Sequence, residues 1–104
     1  MKVFLDDRVH DAIDRFYDAA LGKYVHTLSL ETVLNRKRKI YAGIELLSNP
    51  HARFRAARRR KDWQGKGYHE FSCEGFIFAY KVQTDENGEP YVWVYDAVHG
   101  SLYR

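Results

Sequence analysis

A chain of 104 residues with 45% apolar and 15% aromatic side chains is long enough to bury one core and too rich in Tyr and Phe for disorder, so we expect a single domain over residues 1–104. The formal net charge is only +3, yet over residues 36–66 eleven cations face two anions, Glu45 and Asp62, a segregation that favours a polyanionic partner on one face. A single cysteine excludes an internal disulfide, no apolar run approaches the ~20 residues of a membrane span, and Val3-Phe4-Leu5 meets Asp6-Asp7 too soon for a secretory leader, which together predict a cytoplasmic protein without membrane contact.

In chain order, Val3, Phe4 and Leu5 suit a short strand. Asp6 or Asp7 can accept from the free N–H groups of a helix start, and Val9, Ile13, Phe16, Tyr17 and Ala20 recur at helical spacing up to Gly22, a candidate left-handed stop. A second helix starts at Thr27 or Ser29, carries Leu30, Val33, Leu34, Ile40, Tyr41, Ile44 and Leu47, and ends near Asn49 because Pro50 disfavours helical geometry before it. The two amphipathic helices form a hairpin that needs a sheet to cover it.

Three strands follow. Residues 68–73 and 76–83 flank a Glu74-Gly75 turn, with Phe76, Phe78, Tyr80 and Val82 alternating onto one face. Asn87-Gly88 suits the positive φ angles of a tight hairpin before a last strand over 91–98. The expected class is α+β, a helical hairpin packed on a small twisted antiparallel sheet with the N-terminal strand at one edge.

Residues 53–61 hold six cations in nine positions, Arg53, Arg55, Arg58, Arg59, Arg60 and Lys61, with Lys66 close behind. Beside a sheet ending in His99, Tyr103 and Arg104, such a run has the groups to hold a phosphodiester and move protons around it, so RNA is the first substrate to consider. The alternative reading of the same run is a solvated loop or edge strand whose charges discourage aggregation. Trp63 can stack on a base or pack in the core. His69 and Glu70 read as sheet-surface residues on alternate faces, Cys73 as a buried strand residue, and the five His show no zinc spacing, so no metal or cofactor is expected.

The element order, with GYHEFSCEGFIFAYKV followed by VWVYDAVHG, resembles the RelE/ParE superfamily of toxins from type II toxin–antitoxin modules. Gly75-Phe76, Tyr80-Lys81-Val82 and Val98-His99-Gly100 carry the likeness. The resemblance implies growth inhibition, a cognate antitoxin protein and one of two activities. RelE-like members are ribosome-dependent endoribonucleases that cut mRNA by 2′-OH attack; ParE-like members inhibit DNA gyrase. A non-catalytic RNA-binding or interaction module with the same fold is a third reading. Under the nuclease reading Tyr103 falls near the family's C-terminal catalytic Tyr, His99 near a catalytic His or Arg, and the 53–61 run with Lys66 where cations grip the substrate. Arg104 adjoins the Tyr and is a candidate for the phosphate charge, because Ile77 stands where family members commonly carry Arg.

Overall fold

A computed structural model describes residues 2–23, 27–49 and 61–100, the last segment without the side chains of its first two residues. The elements are β1 (Lys2–Leu5), α1 (Asp7–Lys23), α2 (Leu30–Glu45) continued by one 3-10 turn (Leu46–Ser48), α3 (Lys61–Gly65), β2 (His69–Cys73), β3 (Phe76–Thr84) and β4 (Pro90–His99).

Local chemistry accounts for the helix ends. Asp6 caps α1, its carboxylate accepting from the Arg8 N–H at 3.1 Å, and the Ser29 hydroxyl caps α2 by accepting from the Thr32 N–H at 3.1 Å. Gly22 is not a stop: α1 runs through it to Lys23. Val33, Ile40, Ile44 and Leu47 form the buried stripe of the second helix and its last turn, but Leu30 and Leu34 are 62% and 47% exposed. At about 100° per residue they fall on the flank of that stripe. Tyr41 lies on the same flank, where its hydroxyl meets His10 Nδ1 of α1 at 2.9 Å, and Lys37 reaches Asp14 at 3.0 Å one turn away. These two contacts clasp the helical hairpin. α2 approaches β2 closely at Gly43, where a Cβ would meet Cys73 Sγ.

The four strands lie in the order β1-β4-β3-β2. β1 is an edge strand, but it pairs parallel with β4, so the sheet is mixed where a wholly antiparallel one was expected. The turn between β2 and β3 has positive φ at both Glu74 (51°) and Gly75 (83°), as a two-residue hairpin requires. The next hairpin differs from the expected Asn-Gly turn. Asp85 takes the Gly88 N–H on its carbonyl and the Asn87 and Glu89 N–H groups on its carboxylate, and Gly88 alone of the pair has positive φ. The longer loop arises because the Asp85 side chain supplies acceptors for its own turn.

Both faces of the sheet carry a buried cluster. On one, α1 and α2 enclose Val9, Ile13, Ile40 and Ile44 with Phe76, Phe78, Tyr80, Val92 and Val94. On the other, Trp63 of α3 and Tyr68 pack over Ile77 and Ala79, with Trp93, Tyr95 and Val98 around them. The alternating stripe of β3 was therefore half of the pattern: Phe76 to Tyr80 are all buried, and Val82, the expected fourth member, is 39% exposed. Trp63 is 1% exposed and is a core residue, which removes it as a stacking platform for bases. The single turn that carries it has no periodicity by which the sequence could announce it. The chain reverses after that turn with the Tyr68 N–H donating to the Trp63 carbonyl at 3.1 Å.

Candidate nucleic-acid interface

The position of His99 is set by a bulge. Tyr80 pairs with Val94 and Ala79 with Asp96, so Tyr95 is an extra residue on β4. Before it, Val92 and Val94 face the helices while Trp93 faces the other side; after it the alternation has shifted by one, and Ala97 joins the helix-side core while Val98 joins the opposite cluster. His99 follows on the helix side. Its ring stacks on Phe16 with centroids 3.9 Å apart and 12° between planes, and meets Phe76 edge-on at 5.0 Å. Burial holds its pKa below the ordinary 6.5, which favours the neutral imidazole. His99 also lines a groove of about 520 Å³ beside α1, with Phe16, Arg15 and Lys23.

The other expected site residues divide. Arg53, Arg55, Arg58, Arg59, Arg60, Tyr103 and Arg104 lie outside the described residues, as does the side chain of Lys61, which opens α3. Lys66 is exposed and reaches the face opposite the helices, its ammonium 5.9 Å from the Tyr95 ring. The bulge thus separates His99 from Lys66 by the thickness of the sheet. Ile77, 3% exposed under Trp63 and Tyr68, fills the apolar cluster of the Lys66 face.

That face contains a constellation the sequence reading missed. Tyr68 and Tyr95 stack with centroids 4.9 Å apart at 13°. The Arg8 guanidinium lies 4.5 Å from the Tyr95 centroid and the Lys81 ammonium 4.4 Å from that of Tyr68. Three cations from α1, β3 and the turn after α3 therefore converge on two stacked rings. Each such contact is worth about 0.5–1 kcal/mol at an exposed site. Burial, above all, raises the Tyr68 pKa, with Arg8 opposing, so Tyr68 remains a neutral hydroxyl. The Arg8 guanidinium also stands 3.7 Å from Asp6, and Asp6 and Asp96 both act on Tyr68, so carboxylates partly offset the three cations. The available signal was the alternation of β3, which sets Lys81 on the face away from Phe76, Phe78 and Tyr80, but Arg8 and Lys66 come from elements whose packing no strand pattern encodes.

Among the described residues, no group of three or more His, Cys, Asp or Glu side chains is placed to hold a metal, and no helix is long and apolar enough to cross a membrane. Fold and surface define an α+β protein with a mixed four-stranded sheet and a face on which three cations meet two stacked aromatic rings. The chain matches no protein-family model and no curated protein.

Proposed function

We propose that this protein is an RNA-directed toxin of the RelE/ParE type, gripping mRNA at the ribosome with the sheet face opposite its helices and held in check by a cognate antitoxin. The observation that carries the RNA assignment is the convergence of Arg8, Lys66 and Lys81 on the stacked Tyr68 and Tyr95 rings. Cations neutralise phosphates, and Tyr68, 6% exposed beneath Tyr95 and Lys81, anchors them rather than accepting a base itself, which leaves base contacts to the more exposed rings of the same face. The toxin class is supported by the order of elements, with a helical hairpin between an edge strand and a three-stranded meander. In the nuclease form the RNA's own 2′-OH attacks the adjacent phosphate, and the protein supplies alignment, proton transfer and charge. The neutral imidazole of His99 suits a general base only toward a strand that also passes the helix-side groove it lines.

A second reading, a non-catalytic RNA-binding module, is favoured by one specific feature: His99 lies across the sheet from Lys66, and apolar Ile77 occupies the cationic face. Translating ribosomes decide between the two. The nuclease reading expects new 5′ ends within the message and their loss in His99→Ala and Tyr103→Phe; binding without new ends selects the module. RNA binding itself is tested by salt titration of Arg8→Ala and Lys81→Ala, each expected to lower the slope of log affinity against log salt by about one. Unchanged slopes would remove this face as the RNA surface.

A further inference from the structure

Beyond the cationic end, the same face continues as a row of aromatic rings toward the free edge of the sheet. β1 runs parallel to β4 with Lys2 opposite Tyr91 and Phe4 opposite Trp93. Val3 and Leu5 pack against the helix-side core, so Phe4 points to the other face, where it is 51% exposed. Phe4 and Tyr91 meet edge-on at 5.4 Å, and Trp93 and Tyr95 at 5.1 Å. The Tyr91 hydroxyl donates to Gln83 Oε1 at 2.8 Å, which holds its ring in place. Alternate residues of a strand stand about 7 Å apart, close to the spacing of successive phosphates in an extended single strand. Next to Phe4 and Tyr91 opens a groove of about 910 Å³, whose charged lining is Lys2, Asp85, Glu86 and Glu89.

Charge divides the labour along this row. Arg8, Lys66 and Lys81 attract phosphates at the Tyr95 end, against the partial offset of Asp6 and Asp96. At the Phe4 end Glu86 and Glu89 repel phosphates, yet carboxylates accept hydrogen bonds from the exocyclic amine of a base such as cytosine. A face that is cationic at one end and aromatic with acceptors at the other suits a strand whose backbone is held at the first and whose bases unstack onto the second.

We propose that Phe4, Tyr91 and Trp93 are base-stacking subsites for single-stranded RNA, and that they make the protein selective for unpaired, base-bearing strands. This deepens the RNA reading above and rests on it. A duplex cannot use the row because its bases are already stacked, and a single strand without bases can use only the cations.

The test compares an oligocytidylate with an abasic strand of equal length and phosphate number, using the whole protein and fluorescence anisotropy of labelled strands. The oligocytidylate is expected to bind at least about tenfold more tightly than the abasic strand. Phe4→Ala and Tyr91→Ala are each expected to weaken oligocytidylate binding by roughly 5- to 150-fold and to leave the abasic strand unaffected. Thermal melting verifies that both variants are folded, and Tyr91→Leu, which keeps the apolar bulk without the aromatic face, replaces Tyr91→Ala if that variant unfolds. Equal affinity for the two strands, or equal losses on both in the variants, overturns the stacking subsites and leaves the cationic grip standing. Failure of the wild type to bind either strand overturns the grip and the subsites together.

Discussion

The imidazole of His99 lies parallel to the ring of Phe16, 3.9 Å away, with its Nε2 only 2.7 Å from where a Cβ on Gly75 would stand. The last residue of β4 is thereby wedged between α1 and the turn joining β2 to β3, and the adjacent Gly100 N–H donates to the Gly75 carbonyl at 2.8 Å. His99 serves as a packing residue whatever chemistry it also performs.

Because burial favours the neutral imidazole, His99 makes stability depend on pH. Its folded pKa lies below the unfolded value near 6.5, so the unfolded chain takes up the proton first as pH falls. The contribution is complete above that unfolded value and is lost as pH falls from there through the folded pKa. Urea midpoints measured between about pH 7.5 and about pH 5 should fall more in the wild type than in His99→Gln. Parallel profiles for the two proteins would show that the buried imidazole does not govern this transition.

Gly75 is doubly constrained. Its φ of 83° disfavours any side chain, and the space a Cβ would take is filled by His99 Nε2. Gly75→Ala should destabilise the protein by about 1–3 kcal/mol, the usual range for a strained non-glycine position. Substitution of His99 by Ala in the same chain should recover part of that loss, because the steric component disappears while the backbone component remains. Additive single and double substitutions in urea denaturation would mean that the two residues do not collide.

Ile77→Arg tests the balance between chemistry and packing. The side chain is 3% exposed beneath Trp63 and Tyr68, so arginine would place a charge in an apolar cluster and displace close-packed rings. We expect a loss of about 2–4 kcal/mol in chemical denaturation and no gain in RNA cleavage. A variant as stable as the wild type with increased cleavage would mean that the charge escapes to the surface and clamps phosphate.

The helical hairpin offers a comparison of two polar contacts one turn apart. The His10–Tyr41 hydrogen bond is partly buried, and burial raises the Tyr41 pKa, with Asp14 adding to the effect. The Lys37–Asp14 ion pair has its carboxylate 55% exposed, where solvent screening leaves little net attraction. Tyr41→Phe should cost about 0.5–1.5 kcal/mol and Asp14→Ala no more than about 0.5 kcal/mol. Thermal melting in low and high salt would detect the reverse order if the ion pair dominated.

Local signals in the sequence were sufficient for the elements themselves. The i, i+3, i+4 spacing of Val9, Ile13 and Tyr17, the Ser29 cap and the Glu74-Gly75 turn each act within a few residues, and they define the α+β order, the helical hairpin and the edge position of the first strand. Three features required tertiary structure. The parallel pairing of β1 with β4 joins segments some ninety residues apart, a relation with no local marker. Trp63 became core because α3 folds over Ile77 and Ala79, an event that one turn of helix cannot signal by periodicity. Most consequentially, a strict alternation counted from Val92 and Val94 would set His99 on the face of Lys66, whereas the extra residue Tyr95 shifts the phase and turns it toward Phe16. Side-chain direction in a strand has a period of two, so one unpaired residue reverses the facing of everything after it, and whether that residue is accommodated depends on the partner strand and on the layers packed on either side.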